Sequence, residues 1–382
     1  MPNTITGLIP TLYEALNIVS REMVGIIPAV TRDTNAERAA LGQTVRSPIA
    51  SVAAAYDISP AVTPPNVGDA TMTFADVAIT KSRAIPVRWT GEEQRALTTA
   101  GTLGALLRDQ FAEAMRGLVN EIEADLALTL KAGAARAVGT AGTTPFAIAG
   151  NMDDLALLRQ ILEDNGAPTT DLQFVGNSLT WANLRGKQNN LFRVNEAGTE
   201  DLLRNGLIDR LMGFAMRNSA GIALHTRGTG AAFVTSGVTA PGVANVALVT
   251  GTGTVLPGDV IAFAADPANR YVVKTGITGP GTIGLGRPGA RVLIPNGNAM
   301  TIGNHYRPNF GFARNAIVLV QRAPALPEGG DGADDRIMLQ DPVSGLMFEI
   351  ATYRMYRQVM FEVAAAWGTA AVNEAHIATL MG

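Results

Sequence analysis

A chain of 382 residues, 47% of them hydrophobic, is long enough and apolar enough to bury a sizeable core, and it is globular rather than disordered. With 33 acidic against 30 basic residues the formal net charge is −3, which argues against a basic grip on nucleic acid, so any DNA contact is expected to be weak and sequence-blind. Cysteine is absent, excluding disulfides, thiolate metal sites and cysteine nucleophiles. Neither a signal-peptide pattern nor a run approaching the roughly 20 apolar residues of a bilayer span occurs, so a cytosolic protein with no membrane partner is expected. Charged residues make up only 16% of the chain, against roughly 25% in ordinary globular domains. That shortage has two readings, an alanine-rich, arginine-favouring composition or a surface buried against copies of itself.

In chain order, Thr11 and Glu14 form a capping-box pattern, and Leu12, Leu16, Val19 and Met23 recur at helical spacing. A helix over 12–24 is expected, stopped by Gly25 and Pro28. Residues 31–40 are charged and aperiodic and read as a mobile arm. From 41 to 90 the chain turns extended: a short strand at 44–49, an Ala/Pro/Ser/Val-rich stretch at 51–69, and a β-leaning run over 71–89 whose flanking prolines keep it out of a central sheet position. A long hairpin projecting from a body fits this pattern. An isolated hairpin is marginal in water, so its cover should come from another subunit.

Leu103, Leu107, Phe111, Met115, Leu118, Ile122, Leu126 and Leu130 predict a helix over 103–138. It would span roughly 50 Å, with Glu113 and Arg116 spaced for a local ion pair. Residues 151–227 alternate helix and strand: Asn151 caps a helix closed near Gly166, 172–175 is a buried strand, and Ser178 opens a second helix. Between Arg227 and Asp259 no charge occurs, and Gly, Thr, Val and Pro dominate 228–308. Short β runs at 244–250, 260–264, 271–275 and 291–294, separated by turn clusters, predict an all-β insert of barrel or sandwich type. Beyond it, 312–327 reads as a strand with a proline stop, and runs at 346–353 and 358–366 flank an arginine-rich turn.

Motifs for chemistry are weak. Residues 279–284 match G-x-G-x-x-G, yet Arg287-Pro288-Gly289 follows where a dinucleotide fingerprint needs a helix, so a β turn is favoured. Ser178 lacks the second glycine of a nucleophile elbow and reads as a helix cap. His225, His305 and His376 stand apart with no partner at metal-ligand spacing, and Glu328, Asp331, Asp334 and Asp335 lack the ligand order of a calcium loop. No catalytic, cofactor or metal residue is assigned, and the chain is not read as an enzyme.

FARNAIVLVQRAPALP (312–327), the turn YRMYRQ (353–358), the closing WGTAAVNEAHIATLMG and the run ending at Ser219 carry a resemblance instead. Taken in order, the segments resemble the major capsid (coat) proteins of tailed bacteriophages, in the short-tailed temperate branch with an inserted β domain. The resemblance implies an α+β fold with an N-terminal arm (1–40), an extended hairpin loop (41–90), a spine helix and peripheral domain (91–150), an axial domain (151–227), an inserted β-barrel-like domain (228–308) and C-terminal strands (309–382). The last would complete the peripheral and axial domains, 310–321 and 358–366 finishing the peripheral sheet. It also implies a homo-oligomer of pentamers and hexamers forming an icosahedral shell around double-stranded DNA. Scaffolding and portal proteins would be its partners, and assembly in the host cytoplasm would precede residence in the virion. Expected intersubunit contacts are Arg46, Met72, Phe74, Arg83, Ile85, Val87, Arg88 and Trp89. Some capsid proteins cross-link through a hairpin lysine, for which Lys81 is the candidate, although this branch is not generally of that kind. A non-viral encapsulating shell protein of the same fold is the alternative, and an α/β enzyme a less favoured one.

Overall fold

The computed structural model describes residues 9–22, 25–49, 57–58, 60, 62–63, 73–99, 103–188, 208–341 and 344–382. Helix α1 (Ile9–Glu22) lays Leu12, Ala15 and Leu16 against the long helix described below. A buried 3-10 turn (Ile27–Ala29) follows, and then β1 (Thr31–Ala39), which pairs in parallel with a strand from the far end of the chain, Thr31 opposite Val318. The stretch 31–40, expected as a mobile arm, is thus a sheet edge. Its charges are held by neighbours: Arg38 makes a bidentate pair with Glu349 at 2.8 and 2.9 Å, and Asp33 receives Arg322 at 3.0 Å.

β2 (Thr44–Ile49) and β3 (Thr73–Ala78) pair with each other from Thr44↔Ala78 to Ile49↔Thr73. The β-leaning run then breaks at Ile79 and Thr80, and β4 (Lys81–Thr90) enters a different sheet. After α2 (Gly91–Thr99) comes α3 (Leu103–Gly133), whose 31 residues reach about 46 Å at 1.5 Å each. One face of α3 is apolar, and Phe111, Met115, Leu118, Ile122, Leu126 and Leu130 on it are buried. The helix stops before the expected 138 because β5 (Arg136–Gly139) is claimed by a sheet, and Gly133 lies so near Ala371 that a Cβ would come within 2.7 Å of its methyl.

α4 (Asp153–Asp164), β6 (Leu172–Gly176), α5 (Ser178–Lys187), β7 (Arg210–Leu211) and β8 (Phe214–Asn218) follow. The side chain that caps α5 is Asn177, accepting from Thr180 N at 2.8 Å, one residue before the serine expected to do so. Residues 228–308 are β throughout: β9 (Val234–Thr235), β10 (Asn245–Val249), β11 (Thr254–Val255), β12 (Val260–Phe263), β13 (Asp266–Thr275), β14 (Ile277–Thr278), β15 (Gly281–Leu285) and β16 (Met300–Ile302). The glycine-rich 279–284 motif is the β14–β15 turn and its strand. No strand forms over 291–294, where a single bridge joins Ile294 to Thr239. The chain closes with β17 (Pro308–Ala313), β18 (Ile317–Pro324), β19 (Ala333–Gln340), β20 (Met347–Met355), β21 (Gln358–Ala371) and β22 (Ile377–Met381).

Two large sheets organise this α+β fold. The first runs β1-β18-β21-β20-β19, with β4 also on β21, and packs on α3. The second runs β7-β8-β6-β17-β22-β5-β13-β15-β10-β9, with β12 on β13 and β16 on β12. β17 therefore lies between β6 and β22 in the second sheet, so residues 310–313 do not finish the first; the chain crosses between sheets at Arg314–Ala316. The insert has an apolar core of its own (Phe233, Val246, Ile261, Phe263, Ile283, Leu285), joined to the second sheet where Tyr271 of β13 meets Arg136 of β5.

Candidate assembly surface

The β2–β3 ribbon leaves the body through a clamped root. Gly42 N donates to Ile79 O and Ile79 N to Gln43 O, each at 2.9 Å, and Thr80 N donates to Trp367 O at 3.0 Å. Val77 and Ile79 are buried there with Ala39, Val318, Val320 and Ala366. Gly368 permits the crossing, since a Cβ on it would stand 1.9 Å from Ala78 O. Only a residue without a side chain lets two backbones approach so closely.

Beyond the root, among the described residues, the two strands pair only with each other. Arg46 and its cross-strand partner Asp76 form a bidentate pair at 2.9 and 3.2 Å, which raises the Arg46 pKa and lowers that of Asp76. The guanidinium also lies 5.1 Å from the Phe74 ring centre. Phe74 itself is 49% exposed. Met72 lies outside the described residues.

β4 divides its residues by the two-residue period of a strand. Val87 and Trp89 are buried on α3, where Trp89 Nε1 donates to Gln110 Oε1 at 2.9 Å. Ile85 lies against Gly117, where a Cβ would come within 2.9 Å of its Cδ1. These three expected contact residues are covered by their own chain, because the spine helix takes the face they share. Arg88 falls on the open face, whereas Arg83 shares the face of Ile85 and Val87 and is exposed at its end, 3.3 Å from Glu121 of α3. Of the expected set, the surface keeps Arg46, Phe74, Arg83 and Arg88.

Lys81 is at the root of the ribbon. Its Nζ donates to Glu121 at 2.9 Å and Asp125 at 2.8 Å, and Asp125 also accepts from Trp367 Nε1 at 2.8 Å. Burial works to lower its pKa, but the hydrogen bonds to Asp125 and Glu121 outweigh it and the net shift is upward. The amine is held as an ammonium, the form that is not a nucleophile.

A residue that pattern reading overlooks joins three parts of the chain. Glu123 on α3, 2% exposed, accepts from Gly25 N (3.0 Å), Ile26 N (2.7 Å), Ile27 N (3.0 Å) and Ser219 Oγ (2.7 Å). The signal in the sequence is its position: four residues from Val119 and four from Ala127, both buried, it is a charge inside the apolar stripe.

His225 is buried with Nε2 2.8 Å from Asp259 Oδ1, a partnership 34 residues apart in sequence. His305 accepts from Arg227 N at 3.1 Å, and His376 contacts Asn373. Among the described residues no three His, Cys, Asp or Glu side chains are grouped to hold a metal, and no helix is long and apolar enough to cross a membrane.

No family model matches the chain, and no curated protein does. Among solved structures it is similar to a chain from the capsid of cyanophage P-SCSP1u, at 11% identity and a TM-score of 0.48, covering 94% of this chain and 88% of that one. It is also similar to a chain of the mature capsid of bacteriophage PhiM1, at 8% identity and a TM-score of 0.46, covering 92% and 85%. A virus-like particle from Pyrococcus furiosus gives 10% identity and a TM-score of 0.44, covering 97% and 98%.

Proposed function

We propose that this chain is a major capsid protein, the self-assembling subunit of an icosahedral shell that encloses double-stranded DNA. The observation that carries the reading is the β2–β3 ribbon, clamped at its root and paired only with itself beyond it among the described residues. Two strands alone do not bury enough to be stable in water, and an exposed ribbon with an open edge and an exposed Phe74 is completed by a neighbour. The rest of the subunit supports the same reading: a long helix backs one sheet and leaves the ribbon as its projecting element. Copies would meet as pentamers and hexamers, many modest contacts adding up to a closed shell. The low net charge suits a wall that meets DNA without gripping it. A scaffolding protein and a portal protein would be partners during assembly in the host cytoplasm, the virion the final location. The core of its own in 228–308 supports the short-tailed temperate branch with its inserted β domain.

The test is expression alone and with its scaffold, followed by sedimentation, negative-stain microscopy and extraction of nuclease-protected DNA from native particles. Closed or aberrant shells are expected. Replacing residues 51–69 by a short Gly-Ser turn should leave a soluble subunit with an unchanged melt that no longer closes shells. A monodisperse monomer under every salt and crowding condition would sink the shell assignment, and normal shells from the shortened chain would sink the role given to the ribbon.

A further inference from the structure

A cleft of about 750 Å³ opens between α4, β5 and the start of β13 at 267–270. Three guanidiniums line it, those of Arg136, Arg270 and Arg291, against two carboxylates, Asp154 and Asp164. Arg136 is only 8% exposed. Its Nη1 donates to Asn269 Oδ1 at 2.8 Å and its Nη2 to Asp164 Oδ2 at 2.9 Å, while its Nε is buried with no partner among the described residues. Asn269 is fixed in turn, its amide donating to Asp266 at 3.0 and 3.1 Å, and Asp266 also receives the Tyr271 hydroxyl at 2.5 Å.

The carboxylates at the cleft are already engaged. Asp154 accepts from Phe146 N at 2.8 Å, and Asp164 serves both Arg136 and, at 3.8 Å, Arg291. At that longer distance the Arg291 guanidinium feels attraction without a hydrogen bond, so it is available to another acceptor. Arg270 Nη1 donates to Gly139 O, which leaves its charge uncompensated. A planar guanidinium matches an oxyanion with two parallel donors, and an unpaired buried donor adds its own cost until it finds one.

We propose that this cleft is an oxyanion receptor, taking one phosphate or carboxylate group with Arg136 as its floor and Arg291 and Arg270 as its rim. The anion is either free in solution or a side chain of a second copy, and one experiment separates the two. Dispersed full-length subunit is titrated with inorganic phosphate and, separately, with acetate, following the melting temperature and isothermal heats. Saturable stabilisation is expected, since a ligand that binds only the folded state raises its melting point. Binding should weaken at least about tenfold, the size of a lost charge-assisted hydrogen bond, in Arg291→Gln and in Arg270→Gln. Arg291 is half-exposed and linked only at long range, so its variant keeps the fold. Saturation by phosphate assigns a free anion, and saturation by acetate with phosphate inert assigns a carboxylate from another copy. Either supports the receptor. A response that never saturates, or one identical in wild type and both variants, overturns it. Because the subunit is dispersed, that failure would leave shell formation untouched.

Discussion

Glu123→Ala tests whether one buried carboxylate ties the segment entering β1 and the return after β8 to the spine helix. The substitution orphans four donors, the amides of Gly25, Ile26 and Ile27 and the hydroxyl of Ser219. Each buried donor left unpaired costs about 1–3 kcal/mol, and removing a desolvated charge returns part of it, so the expected loss is about 3–5 kcal/mol. Glu123→Gln keeps an oxygen for Gly25, Ile26 and Ser219 but turns an amide toward Ile27 N, a loss of about 1–2 kcal/mol. The pH dependence separates charge from shape. Burial raises the Glu123 pKa over the opposing pull of its donors, Ile26 first. A carboxyl raised in the folded state lends most stability below the unfolded value, near about 4.3, and that contribution is lost as pH rises through the folded value. Wild type should therefore lose ground to Glu123→Gln as pH climbs from that value. Urea unfolding of dispersed subunit across this range, with hydrogen exchange at 25–27, measures both effects. An alanine variant within about 1 kcal/mol of wild type, or a glutamine variant with the wild-type pH slope, would refute the tie.

The other expectations divide the body from the ribbon. Trp89→Ala should cost about 3–5 kcal/mol, because the ring is buried on α3 and bonded to Gln110, whereas Phe74→Ala should leave the melt unchanged and lower shell yield; equal melts for the two would refute the split. Gly368→Ala should abolish soluble protein, as the added methyl would meet Ala78 O at 1.9 Å, and a normal circular-dichroism melt would show that the crossing gives way. Lys81 should resist amine acylation at mildly alkaline pH while the exposed Lys187 reacts, and equal rates would contradict the ammonium assignment. The stability that Lys81 lends is complete below the unfolded lysine value near about 10.4 and is lost only above it, so neutral-range stability should not depend on it.

What was legible in the sequence was local. The apolar row from Leu107 to Leu130 specifies α3 because a helix satisfies its own backbone and needs only one covered face. Strand pairings are not local, and there the reading failed in instructive ways. Residues 31–39 are polar because β1 is an edge, and the partner that makes it a strand is Val318, far along the chain. The acidic turn near Asp331 leads into β19, whose alternation is blurred because both its faces are half-covered. The crossing from β17 to β18 is marked only by the short polar break Arg314-Asn315, and both strands are buried on both faces and show no period that would assign them to different sheets.

Three of the expected contact residues turn toward their own chain, and the physical reason differs. Ile85, Val87 and Trp89 alternate with Pro86 and Arg88, and that alternation states correctly that one face of β4 is buried. It cannot state what buries it. A period of two records only that water is excluded, and an apolar face covered by α3 of the same chain leaves the same pattern as one covered by a neighbour. The decision rests on geometry: the Ile85 methyl reaches Gly117 on α3, and β4 is paired with β21 from Lys81 to Thr90. The ribbon has no such closure beyond its root, for Arg46 and Phe74 sit on strands that pair only with each other among the described residues. The proposed self-association would therefore be concentrated where the chain does not complete itself, at the part of the ribbon that carries Arg46 and Phe74, rather than on the face of β4 that α3 already covers.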